Sequence, residues 1–113
     1  MPTLTLNKTV VEKLVGKKLP LEQLKDRISM LGTDLDRIEN DQIIVEIFPN
    51  RPDMLSEVGF ARALSAFIGV KTGLPKYEVK RGGYKVLVKN AIHQWPYVAA
   101  CVIKGLKLDD EKL

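Results

Sequence analysis

The chain has 113 residues, 45% hydrophobic and 28% charged, with a single cysteine and a formal net charge of +4. A chain of this size holds one core, or one core and the start of another, and buries about two-thirds of its unfolded surface. Such a composition excludes disordered, collagen-like and disulfide-scaffold classes. The longest apolar run, Val98 to Ile103, has six residues, where a membrane-spanning helix needs about 20. Met1 to Leu6 has neither the basic nor the apolar region of a secretory signal, so the expected compartment is the cytosol.

In chain order, Pro2 to Leu6 alternates weakly and predicts a short strand. Asn7 is placed to cap a helix through Val10, Val11, Leu14 and Val15 that closes at Gly16. After the basic pair Lys17 and Lys18, Pro20 stands at the expected first position of a second helix, with Leu21, Leu24, Ile28 and Leu31 on one face and Gly32 at its end. The outward residues Glu22, Lys25, Asp26 and Arg27 mix signs, as a solvated face does. Leu35 to Ile38 and Gln42 to Phe48 predict two strands joined at Glu39, Asn40 and Asp41, with Ile43, Val45 and Ile47 on one side.

Beyond the turn Pro49 to Asp53, a largely buried helix is expected from about Met54 to Ile68, carrying Leu55, Val58, Phe60, Ala63, Leu64 and Phe67. Gly69 to Pro75 reads as a connector. Tyr77 to Lys80 and Tyr84 to Lys89 predict a hairpin around Gly82 and Gly83. Tyr97 to Ile103, apolar on both faces, predicts a central strand that buries Cys101 as a small hydrophobe, and Leu106 to Leu113 begins a further element. The expected fold is therefore α+β: small helices on short, mainly antiparallel strands. Residues 1–75 form a winged-helix-like module, and residues 76–113 form a β-hairpin and strand that begin a further β-rich region.

The inventory for catalysis is thin. Acid–base and nucleophilic chemistry needs paired groups within hydrogen-bond reach, yet the one histidine, His93, lies in a loop and reads as a surface residue. With Cys101 it cannot complete a four-ligand zinc set. Val70-Lys71-Thr72-Gly73 lacks the glycine five residues before the lysine that a phosphate loop requires. No catalytic and no metal residue is assigned. The charge is uneven, with 8 cations against 9 anions before Ser56 and 10 against 5 from there on. Its densest cationic stretch, Lys71, Lys76, Lys80, Arg81, Lys85 and Lys89, supplies candidate weak RNA contacts, although lysine on a solvated strand face is also a common solubility device.

The informative segment runs from Phe48 to Leu64. Phe48 and Arg51 each precede a proline and are pushed toward extended conformations. The turn should deliver Asp53 to the helix start as a cap, with Arg51 as its ion-pair partner. Gly59, costly by about 1 kcal/mol inside a helix, indicates close backbone packing. On physics alone Arg51, Asp53 and Gly59 are structural and need no ligand, with Asn50, Pro52 and Arg62 completing the segment.

The phrase Pro-Asn-Arg-Pro-Asp-x-Leu-Ser-x-x-Gly-x-Ala-Arg, Pro49 to Arg62 here, resembles a motif near the N-terminus of the β subunit of phenylalanyl-tRNA synthetases. Met1 to Leu6, Leu31 to Asp36 and Trp95 to Val102 resemble the archaeal and eukaryotic form of that subunit. The resemblance implies the start of one subunit of a cytoplasmic α2β2 class II ligase, which attaches phenylalanine to its tRNA using ATP and magnesium. It further implies catalysis in the α subunit, and editing and magnesium sites in later β regions. Expected partners are therefore the remainder of β, the α subunit and, for the whole enzyme, phenylalanine tRNA, with no membrane. No cofactor is expected in this part, which alone should be inactive, and its role should be in subunit architecture with some tRNA contact. The competing expectation is a stand-alone winged-helix-like nucleic-acid-binding domain, motivated by the helix and hairpin pattern and a pI near 9.2.

Overall fold

Leu4 and Leu6 alternate with Thr3 and Thr5, and this period of two gives β1 (Thr3–Asn7), which turns its leucines toward the core and its threonines to water. The chain then forms α1 (Lys8–Val15), α2 (Leu21–Met30), β2 (Asp34–Glu39), β3 (Gln42–Glu46), a short 3₁₀ turn (Pro52–Met54) and α3 (Glu57–Phe67). These elements are taken from a computed structural model that describes residues 1–89, 93–94 and 96–107. The chain divides into two compact units, Met1–Lys76 and Tyr77–Leu113.

In the first unit the three strands form one antiparallel sheet in the order β1-β3-β2. The β2–β3 turn is Asn40-Asp41, and both residues have positive φ, 48° and 62°. That is the signature of a type I′ turn, whose twist suits a two-residue hairpin. In β2 the register slips between Leu35, opposite Val45, and Arg37, opposite Ile44, leaving Asp36 as the extra residue of a bulge. The bulge has a purpose that alternation alone conceals. Leu35 and Ile38 are three apart and would face opposite sides of a regular strand, but the inserted residue lets both pack on the core.

One face of the sheet, with Leu6, Ile43 and Val45, is covered by Val11 and Val15 of α1, Leu24 and Ile28 of α2, and Phe60, Ala61 and Leu64 of α3. Asn7 caps α1, its Oδ1 accepting the Val10 N–H at 2.9 Å. Gly16 closes α1 with φ 84°, a left-handed conformation that a residue with a Cβ resists. α2 is shorter than expected at its start: Pro20 is the cap residue rather than the first helical one, with extended ψ of 145° and no side-chain cap bond. On the predicted face Leu24 and Ile28 are buried, whereas Leu21 is exposed.

Several expectations for the second half are corrected. The helix predicted from Met54 is broken into the 3₁₀ turn and α3, because a separate cap residue, Ser56, lies extended between them. Among the described residues of the second unit no strand is formed, so Tyr77–Lys80, Tyr84–Lys89 and Tyr97–Ile103 are not the predicted hairpin and central strand, and Cys101 is exposed rather than buried. The physical reason is the lack of a covering layer: an isolated hairpin is marginal in water, and Val79, Leu87 and Ile103 all remain solvent-exposed. Trp95, Asp109, Asp110 and Glu111, and most of the element expected from Leu106, lie outside the described residues.

Candidate functional site

The Asn50 to Asp53 turn leaves the central strand of the sheet. Ile47 is fully buried and its N–H donates to the Pro2 carbonyl at 3.0 Å, after which Pro49 and Pro52 stiffen a reversal closed by the Arg51 N–H on the Phe48 carbonyl at 2.9 Å. Met54, fully buried, anchors the far end in the core. Between the anchors Asn50 and Asp53 are exposed and Arg51 is half-buried.

Arg51 and Asp53 form a two-pronged ion pair: Nε donates to Oδ1 and a terminal nitrogen to Oδ2, both at 2.9 Å. Those hydrogen bonds hold the Asp53 carboxyl below its ordinary range, with the nearby Arg62 charge acting in the same direction, and raise Arg51 above its own. A depressed carboxylate pKa contributes stability that is fully present above the unfolded value, about 3.9, and is lost as pH falls through the folded one. For a pair this exposed the contribution is small.

Asp53 does not cap α3. The cap is Ser56, whose Oγ accepts the Gly59 N–H at 3.1 Å, while Asp53 has already committed both oxygens to Arg51. Ser56→Ala should therefore destabilise the unit by about 1 kcal/mol, the usual cost of a lost cap, and Asp53→Ala by less. Urea midpoints of the two variants check the order, and a larger loss for Asp53→Ala would contradict the assignment of the cap.

Gly59 explains itself in space. A Cβ built there would collide with the Asp53 carbonyl oxygen, so the turn and the first turn of α3 touch backbone to backbone. Glu57, beside the cap, accepts the Asn7 N–H at 2.8 Å and so ties the α3 start to the β1–α1 junction. Arg62 lies one turn further along α3, exposed. The motif residues are thus brought together, except that Asn50 makes no side-chain hydrogen bond among the described residues.

The candidate RNA contacts are not gathered in this way. Lys71 Nζ donates to the Leu14 carbonyl at 3.5 Å, completing the end of α1, and Lys76 is exposed in the first unit. In the second unit Lys80 pairs with Glu78 at 3.3 Å, while Arg81, Lys85 and Lys89 are exposed. A cation that sequence reading passed over, Lys104, stands 4.6 Å from the centre of the Tyr84 ring; nothing in the local sequence signals a contact spanning this separation. His93 is exposed. Among the described residues no group of three or more His, Cys, Asp and Glu side chains could hold a metal, and no helix is long and apolar enough to cross a membrane.

No protein-family model matches the chain. Among curated proteins it is similar to the phenylalanine–tRNA ligase β subunit of Archaeoglobus fulgidus, 40% identical over 112 residues that make up 98% of this chain and 20% of that protein. The β subunit of Methanopyrus kandleri is 36% identical over 116 residues, 99% of this chain and again 20% of the relative. The chain thus spans about a fifth of the length of the curated relatives it matches. Among solved structures it is similar to an N-terminal fragment of the phenylalanyl-tRNA synthetase β subunit from Pyrococcus horikoshii, at 32% identity and a TM-score of 0.60, over 73% of this chain and 25% of that one.

Proposed function

The chain is homologous to the N-terminal part of phenylalanine–tRNA ligase β subunits, and on that premise we propose that it is a non-catalytic architectural module of such a ligase, serving the assembly of β with α in an α2β2 enzyme. The observation that carries the reading is the reach of the match, nearly the whole chain against a fifth of each relative. ATP, magnesium and the transfer of phenylalanine to tRNA are assigned to the remainder of the enzyme, and the cytoplasm to its place of work. The motif turn fits an architectural role because its charged pair is spent internally and its glycine serves packing. The exposed cations Arg81, Lys85 and Lys89 give a secondary, purely electrostatic contact with tRNA.

The nucleic-acid-binding alternative draws on the first five elements, β-α-α-β-β with the sheet in the order β1-β3-β2, which resemble part of a winged helix. Charge weighs against it. On α2 Lys25 pairs with Glu22 at 2.9 Å and Arg27 with Asp26 at 3.7 Å. The hairpin that would be the wing carries Asp34, Asp36, Glu39, Asp41 and Glu46 against Arg37 alone, and phosphate would be repelled there.

The test is co-purification of α with a β subunit lacking residues 1–76. The truncated β should yield little α2β2 complex and correspondingly little charging, while the isolated chain catalyses no ATP–pyrophosphate exchange. Full assembly with unchanged charging by the truncated enzyme would overturn the proposal.

A further inference from the structure

The pairing register fixes which way each backbone group of β1 points. At one end of the β1–β3 ladder the Ile47 N–H donates to the Pro2 carbonyl, and at the other the Lys8 N–H donates to the Asp41 carbonyl. Leu4 stands opposite Val45 and Leu6 opposite Ile43. Pro2, Leu4, Leu6 and Lys8 therefore turn their backbone groups to β3, and Thr3, Thr5 and Asn7 turn theirs to the open side, because the direction alternates along an antiparallel strand. β1 is an outer strand of the sheet, and a row of open N–H and C=O groups is a template on which another chain can add a strand. The other outer strand, β2, is guarded by its bulge at Asp36 and by the charges of Asp34, Arg37 and Glu39. β1 reads Thr-Leu-Thr-Leu-Asn, with no charge, no proline and no slip in its register.

Its guard comes from a distant part of the chain. The Asn7 N–H, which points to the open side, donates to Glu57 Oε1 at 2.8 Å across a separation of 50 residues. Thr3 and Thr5 are exposed, and their outward backbone groups have no partner among the described residues. An antiparallel edge is self-complementary about a two-fold axis. Centred on Thr5, β1 of a second copy would lie with its Asn7 against Thr3 of the first, so that all three outward residues are used twice. We propose that Glu57 is an edge guard against this pairing. By taking the Asn7 N–H it removes the outer hydrogen bond at both ends of the symmetric register. It also sets a carboxylate beside the line an added strand would follow, and so keeps two copies from joining their sheets through β1.

The experiment is sedimentation velocity of the 113-residue chain and its variants over a range of concentrations. Glu57→Ala should self-associate about tenfold more tightly than the parent, which is what two added backbone hydrogen bonds of ordinary strength supply. Glu57→Gln keeps an acceptor in place and should behave as the parent does. Adding Thr5→Pro to Glu57→Ala should abolish the gain, because the Thr5 N–H points away from β3 and its loss costs no bond of the ladder. No tighter association by Glu57→Ala, equal association by the glutamine variant, or a gain that survives Thr5→Pro would overturn the proposal. Amide exchange in the parent chain tests the same edge even where Glu57→Ala fails to fold. The Thr3 and Thr5 amides should exchange fast while those of Leu4, Leu6 and Asn7 are protected. Protection of Thr3 and Thr5 equal to that of Leu4, or fast exchange at Asn7, would equally overturn it.

Discussion

Gly59→Ala should destabilise the first unit by about 3 kcal/mol, the upper end of the usual cost of overpacking. Most glycine-to-alanine changes in a helix gain up to about 1 kcal/mol in propensity, and the φ of Gly59 poses no obstacle to a side chain, since it lies outside the positive range. The expected loss comes entirely from space. The added methyl meets the Asp53 carbonyl, which is backbone and cannot swing aside like the end of a long side chain. Either the turn retreats, loosening the burial of Met54, or α3 shifts against the sheet and the Gly59 N–H loses the Ser56 hydroxyl. With a urea dependence of about 1 kcal/mol per molar for so small a unit, the midpoint should fall by roughly 2–3 M. A midpoint at or above that of the parent would show that the turn yields freely and that its contact with α3 is not a fixed part of the fold.

The next residue gives the larger effect in the opposite sense, by emptying space. Phe60 is fully buried where the helices meet the sheet, and Phe60→Ala should cost about 3–5 kcal/mol in lost transfer energy and cavity formation. A unit of 76 residues, at about 0.05–0.15 kcal/mol per residue, has a total stability of only some 4–11 kcal/mol. The variant should therefore lose its cooperative thermal transition or melt far below the parent by far-UV circular dichroism. Phe67→Ala, in the same helix but 42% exposed, should cost only about 1–2 kcal/mol, because part of the ring is already in water. Equal melting of the two variants would mean that the core is not where these residues place it.

What the sequence disclosed follows from how local each signal is. Asn7 and Gly16 bracket α1 because capping and left-handed closure are properties of one or two residues. The β2–β3 hairpin was likewise readable at its turn. The bulge at Asp36 was not, since its reason is that Leu35 and Ile38 must share a face, a demand made by the core across the sheet. Asp53 looked like a cap because an acid after a proline turn commonly is one. Three residues of 3₁₀ turn moved the cap to Ser56 and left Asp53 to Arg51. At the motif, the close approach signalled by Gly59 could be inferred from the cost of glycine in a helix, whereas its partner, the Asp53 carbonyl, could not. Alternation from Tyr84 to Lys89 and the apolar run after Tyr97 specify which surfaces would be buried in a sheet, and are silent on what would bury them. A shallow apolar groove lined by Leu14, Val58 and Leu74 is legible only after folding, because these residues are far apart in the chain.

The short helix α1 is fastened at both ends by residues made long after it. The Lys8 N–H donates to the Asp41 carbonyl at 2.8 Å and Thr9 Oγ1 to the Asp41 carboxylate at 2.8 Å, while at the other end the Ser65 hydroxyl donates to the Val15 carbonyl at 3.1 Å and Lys71 reaches that of Leu14. Eight residues make too short a helix to persist alone in water. During synthesis, at about 5–20 residues per second, the chain from Val15 to Lys71 takes several seconds to follow. Over that interval the emerging segment waits as an exposed apolar stretch, with Val11 and Val15 uncovered. It is the kind of nascent surface that chaperones hold, and the oldest helix of the unit is among the last parts to be locked in place.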